Sequence, residues 1–132
     1  MSGDPYNSQV REFFANPVHC GDLHGATSAA VEGLGVRLCL AATTADNSIR
    51  NLRFRAFGCP HVIAAAEAFC ASYEGRAIKD LRAFTAAVLM QSLAIPVEKT
   101  GRILVLEDAV RMLGAVIRAT STGAAVAAEK AE

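Results

Sequence analysis

The sequence has no tryptophan, and aromatic residues of all kinds make up only 6% of it. Neither charge is in excess, since 13 Lys and Arg balance 13 Asp and Glu. Composition therefore gives no support for nucleic acid or another polyanion as a partner. No apolar run approaches the roughly 20 residues that a membrane-spanning helix requires. The opening MSGDPYNSQV lacks a basic region followed by an apolar one. No secretory signal is read there, and the cytoplasm is the expected location. Cysteines are few, at positions 20, 39, 59 and 70, and no two stand in CxxC or CxxxC spacing. That spacing argues against a zinc knuckle. A chain with its own core and no export signal does not need disulfides. Each cysteine is then weighed alone, first as a small buried hydrophobe.

What is present is the balance of a globular domain. The 132 residues are 52% apolar and 20% charged, enough for one domain with a real core. Ser8 to Phe14 places Val10, Phe13 and Phe14 at helical spacing before Pro17, and a loop from Val18 to Gly25 follows. Ala26 to Val31 is a weak strand. Val36 to Thr44 alternates strongly, with Val36, Leu38, Leu40 and Ala42 on one face. Ile49 to Phe57 sets Leu52, Phe54 and Ala56 against Arg53, Arg55 and Phe57. Asp46-Asn47-Ser48 between these two runs predicts a hairpin. The arginines at 50, 53 and 55 read as a solvated strand face, or as a docking surface for an acidic partner.

After Phe57 the period changes to about 3.6. Pro60 suits a first helical position and makes Cys59 the N-cap of a helix reaching Tyr73, with Val62, Ala66, Phe69 and Tyr73 as its apolar stripe. A second helix is predicted from about Asp80 to Leu93, with Leu81, Phe84, Val88 and Leu89 inward, ended before Pro96. The last is predicted from about Ile103 to Ala119. Residues 1–119 form the domain, and 120–132 are expected to fray. Strands first and helices afterwards predict an α+β fold, a three-stranded antiparallel sheet with helices packed on one face.

In this order the residues resemble the IscU/NifU family of iron–sulfur cluster assembly scaffolds over about residues 6 to 119. The opening is similar at Tyr6, Val10 and Phe13 or Phe14, then at Asn16-Pro17 and Gly21-Asp22-Leu23. The most specific stretch is IRNLRFRAFGC, Ile49 to Cys59, like the family's strand ending in Phe-x-x-x-Gly-Cys. It is followed by the small-residue run Ile63 to Ala66 and by Gly75-Arg76, where Gly-Lys is usual. Ile95, Pro96, Val97, Glu98 and Lys99 stand where the family carries a segment read by an Hsp70-type chaperone. Leu106-Glu107-Asp108-Ala109 matches the opening of its final helix. The resemblance implies the SufE/IscU fold, no enzymatic activity, an iron–sulfur cluster or iron as cargo, and a cysteine desulfurase and an Hsp70-type chaperone as partners.

The family's cluster chemistry uses soft thiolates from three cysteines. This chain departs from that set. Gly33-Leu34-Gly35 occupies the place of the first ligand's Cys-Gly-Asp, and Gly101-Arg102 the place of the third ligand's His-Cys. Gly33, Gly35, Gly101 and Arg102 are thus degenerate ligand positions, and Cys59 alone survives. Cys39 lies about six residues, roughly 20 Å of extended chain, past the lost first ligand. Cys70 lies roughly 16 Å along the helix that Cys59 opens. Cys20, with His19 or His24, remains a weak candidate to approach Cys59, as does His61.

A helix N-terminus favours a thiolate at Cys59, while the bland reading is an inert N-cap. Arg102 would repel Fe²⁺ yet stabilise a thiolate or persulfide. Two readings stay open: a protein of iron–sulfur biogenesis that holds iron, a cluster or sulfane sulfur through Cys59, with a homodimer able to supply a second thiolate, or a non-cluster adaptor on the inherited fold. A thiol enzyme using Cys59 and His61 ranks last, because no general acid or oxyanion donors can be read.

Overall fold

The computed structural model describes the backbone of residues 8–131 and side chains through Thr120. Tyr6 lies outside the described residues, as do the side chains of residues 121–132 in the tail expected to fray. The chain opens with α1 (Ser8–Ala15) and continues through β1 (Thr27–Gly33), β2 (Val36–Ala45) and β3 (Ser48–Phe57). Helices α2 (Pro60–Tyr73), α3 (Ala86–Ser92) and α4 (Thr100–Ala131) follow, with short 3₁₀ turns at Ile78–Ala83 and Val97–Lys99. The strands form one antiparallel sheet in the order β1-β2-β3. The α+β architecture read from the sequence is the one observed.

Alternation along the strands decides which side carries the helices. Leu38, Leu40, Ala42, Leu52 and Phe54 are buried beneath α2 and α4, and the register sets Leu40 opposite Phe54 and Ala42 opposite Leu52. The other face pairs Cys39 with Arg55, Ala41 with Arg53 and Arg37 with Phe57. Both hairpins close on two-residue loops with positive φ at each position: Asp46 (54°) and Asn47 (64°), then Leu34 (53°) and Gly35 (75°). Such primed turns match the strand twist. Asp and Asn tolerate this region, but a leucine in it costs about 1–2 kcal/mol. Leu34 accepts that cost while two-thirds exposed.

One helix differs from its sequence-based expectation. The predicted Asp80–Leu93 helix is divided into the Ile78–Ala83 turn and α3, because Phe84 and Thr85 adopt extended backbone. The division turns the Phe84 ring edge-on to Phe69 and Tyr73, at centroid distances of 5.1 and 5.7 Å. A carboxylate from α4 caps the restarted helix, Ala86 N–H donating to Glu107 at 2.8 Å. Leu81, Phe84 and Leu89 face inward as predicted, but Val88 is 63% exposed. The restart at Ala86 resets the helical phase and carries Val88 outward. Helix α4 begins earlier than expected, at Thr100.

Candidate functional site

Cys59 stands where β3 ends and α2 begins. Its extended backbone (φ −77°, ψ 165°) makes it the N-cap, and Pro60 occupies the first turn. Its carbonyl accepts from the N–H groups of Val62 (3.0 Å) and Ile63 (3.2 Å). The thiol is half-buried. Burial alone would push its pKa up, but the N–H groups of Val62 and His61, the Arg102 guanidinium and the charge of Lys99 outweigh burial, and the net direction is down. Because folding lowers this pKa, the thiolate adds stability above the unfolded thiol's pKa. That increment is lost as pH falls through the folded value.

The same end of the molecule gathers the degenerate ligand positions. The Leu34 Cδ1 atom lies over Gly101, where it would stand 2.9 Å from a Cβ built on that glycine. A Cβ on Gly33 would meet Val105 Cγ2 at 3.8 Å, and Val105 is one turn along α4 from Arg102. Arg102 itself acts on the Cys59 thiol. The turn at 33–35, Cys59 and the start of α4 thus converge as the resemblance implies, with glycines and an arginine in place of donors. Lys99 brings the end of the Ile95–Lys99 segment to this site. Within that segment Ile95 is buried, Pro96 is half-buried, Glu98 is exposed, and Val97, at 81% exposure, projects.

The remaining candidates are placed elsewhere, except His61, whose backbone N–H meets the Cys59 thiol. His19 is held between two carboxylates of the α2 region: Nδ1 lies 2.7 Å from Glu67 Oε2 and Nε2 lies 3.2 Å from Glu74 Oε1. The His19 N–H donates to Glu67 Oε1 at 2.8 Å. Glu67 is only 2% exposed, so this histidine supplies a buried carboxyl group with the polar partners it needs. Cys20 bridges to Phe54 on the outer edge of β3, Gly21 N–H donates to the Phe54 carbonyl at 2.9 Å, and Asp22 takes Arg55 in a two-pronged pair. These ties hold the 19–22 loop along β3. Cys20 there sits in the field of Arg55, and the cations acting on Cys59 are Arg102 and Lys99. His24 is exposed in the following turn, and His61 is buried in the first turn of α2. Cys70 is buried, and burial pushes its thiol far up.

Glu67 and Glu74 were not anticipated from the sequence, and Lys99 was expected only in the chaperone-like segment and not beside Cys59. A lone glutamate inside the apolar run of α2 was the available signal for the first of these. As for the three arginines, Arg53 reaches Glu74 at 2.9 Å, Arg55 takes Asp22, and Arg50 lies 3.8 Å from Asp46.

Among the described residues, no three His, Cys, Asp or Glu side chains converge so as to hold a metal ion. The described residues of this site supply one thiol, short of the donor set an iron–sulfur cluster takes. The site suits an anion carried on sulfur. Arg102→Ala should therefore raise the Cys59 pKa and slow alkylation of Cys59 by iodoacetamide at neutral pH severalfold, with Cys70 unmodified in the native protein. Rate profiles against pH check this, and an unchanged profile would remove Arg102 from the site.

A three-stranded antiparallel sheet under helices, with a cysteine leading from the last strand into α2, defines an α+β domain of the scaffold type. Residues 5–118 match the NifU-like N terminal domain, and the chain belongs to that family. The fold is similar to that of a nitrogen-fixing NifU-like protein (N-terminal) from Brucella abortus. The two share 18% identity with a TM-score of 0.66, over 85% of this chain and 91% of that one. It is also similar to a candidate iron–sulfur cluster assembly scaffold protein for the SUF system from the thermophile Fervidobacterium islandicum AW-1. There the identity is 14% and the TM-score 0.56, over 81% and 82% of the two chains. No curated protein sequence matches the chain significantly. Among the described residues no helix is long and apolar enough to cross a membrane.

Proposed function

We propose that this protein serves iron–sulfur cluster biogenesis as a carrier of sulfane sulfur on Cys59. The observation that supports this most is the cationic setting of that thiol, with Arg102 and Lys99 beside a helix N-terminus. Membership of the scaffold family supplies the biological context. The step is a redox-neutral exchange. The Cys59 thiolate attacks the outer sulfur of a donor persulfide of the cysteine-desulfurase kind. A new S–S bond forms at Cys59, the donor's S–S bond breaks, and the donor cysteine leaves as thiolate. The product is a Cys59 persulfide, which is itself anionic at neutral pH. Arg102 and Lys99 stabilise that charge, whereas they would oppose Fe²⁺.

Mass spectrometry after incubation with a protein persulfide should find one added sulfur on the peptide carrying Cys59 and none in Cys59→Ser. Arg102→Ala should lower the yield. Sulfur spread evenly over Cys20, Cys39 and Cys59 would refute the assignment.

A second reading is favoured by the apolar rim of the site. Leu34, Phe57 and Val97 are 67%, 72% and 81% exposed, and Leu34 stays in an unfavourable backbone region to remain so. These residues suit an adaptor that offers the same end of the fold to a partner. The Hsp70-type chaperone expected at Ile95–Lys99 would meet Val97 there. Loss of partner binding in Leu34→Ser or Val97→Ser, with sulfur loading unchanged, separates this role from the first.

A further inference from the structure

A second feature lies away from Cys59. The Ile78–Ala83 3₁₀ turn and the later part of α4 enclose a cleft of about 710 Å³. That volume lies within the range of small-molecule sites. In a 3₁₀ helix residues three apart eclipse, which sets Lys79 and Arg82 on one edge of the cleft. On α4, Arg111 and Arg118 are seven residues apart and share a face, which sets them on the opposite edge. The floor between is apolar, with Leu81 and Ile117 buried beneath it. Gly114 lets the two elements close, since a Cβ there would meet Leu81 Cβ at 3.4 Å.

Among the described residues no carboxylate lines this cleft. The one acidic residue of the turn, Asp80, is taken by Arg76 at 3.2 Å. Arg111 donates to the Phe84 carbonyl at 2.8 Å and lies 3.9 Å from Glu107. The ion pairs among the described residues do not include Lys79, Arg82 or Arg118. Four of the 13 Lys and Arg of a neutral chain therefore surround one apolar depression, three of them outside these ion pairs, with no acidic residue in its described lining. A cleft lined by charges of one sign with apolar walls raises the local concentration of anions. Arg111 and Arg118 stand roughly 13 to 24 Å along α4 from Arg102, so this cleft is separate from the Cys59 site.

We infer that the cleft binds a small amphipathic anion, an apolar body carrying a carboxylate, sulfonate or phosphate group. The body lies on Leu81 and Ile117, and the anionic group meets Arg82 and Arg118 across the opening. The fit is by chemistry, charge at the rim and hydrocarbon at the floor.

The probe is 1-anilinonaphthalene-8-sulfonate, with the uncharged N-phenyl-1-naphthylamine as its counterpart of similar apolar size. Both are titrated by fluorescence against the full chain. The sulfonate should bind at one saturable site, at least tenfold more tightly than the uncharged dye, and decanoate should displace it. Arg82→Glu with Arg118→Glu should weaken the sulfonate at least tenfold. Ala115→Phe fills the cleft from an exposed position on α4 and should abolish binding. Neither change touches the Cys59 site, and sulfur loading should persist in both. Equal affinity for the two dyes would overturn the inference, and so would sulfonate binding that survives Ala115→Phe.

Discussion

Exchanging Gly33 and Arg102 for cysteine should yield a protein that takes up an iron–sulfur cluster on anaerobic reconstitution, where the parent takes up none. The expectation rests on geometry. Gly33 ends β1 with its missing side chain directed at Val105, one turn from Arg102, and Arg102 already reaches Cys59. Two exchanged residues would put three thiols at one end of the fold and remove the cation that opposes iron. Soft thiolates of this kind are what an iron–sulfur cluster requires. A Cβ at Gly33 meets its nearest neighbour at an ordinary 3.8 Å, so the exchange does not crowd α4. Iron and acid-labile sulfide approaching one cluster per chain, with visible absorption lost on adding Cys59→Ser, is the expected result. A folded double variant that takes up neither would show that the three positions do not converge.

Phe69→Ala should cost about 3–5 kcal/mol of stability, the usual range for emptying a buried aromatic site. The chain has few aromatic residues, and three of them are committed to one cluster. Phe69 is fully buried, stacked on Tyr73 at 4.9 Å and edge-on to Phe84 at 5.1 Å. Such ring pairs contribute about 0.5–1.5 kcal/mol each beyond the area they bury. One turn before Phe69 on α2 stand Ala65 and Ala66, too small to refill the gap. A domain of this size is stable by about 5–15 kcal/mol, so the loss is a large share. Chemical denaturation should show a lowered midpoint with an unchanged slope. Phe57→Ala, at a 72% exposed position, should shift stability by no more than about 0.5 kcal/mol. A cost below about 1 kcal/mol for Phe69→Ala would contradict this account of the core.

The features legible in the sequence are those that local chemistry decides. Alternation over Val36–Thr44 and Ile49–Phe57 gave the faces of β2 and β3, Asp46-Asn47 gave the turn, and Pro60 gave the start of α2. Pairing across long separations was not legible. Nothing near Thr85 announces a break, because the carboxylate that caps the restarted helix belongs to Glu107, more than twenty residues away. Cys20 reads as free to reach Cys59 until His19, placed beside it, is seen held by Glu67 and Glu74.

The site divides the same way. Cys59 and Arg102 were readable because the family's ligand order points to those positions. The charge of Lys99 on the thiol was not, since it depends on how the 97–99 turn delivers that side chain to α2. The cationic cleft was equally hidden, because its lysine and arginines come from two separate segments, 79–82 and 111–118, that only the fold brings together.

On the proposed function, Cys59 carries sulfur and the chain by itself holds no cluster. Anaerobic incubation of the parent and Cys59→Ser with a persulfide donor and ferrous iron tests both halves together, through iron, acid-labile sulfide, visible absorption and the mass of the Cys59 peptide. The expected result is one added sulfur on Cys59, absent in the variant, with no stoichiometric iron or sulfide in either. Near-stoichiometric iron and sulfide in the parent, with absorption bands that vanish in Cys59→Ser, would contradict it and show a cluster site rebuilt around Cys59.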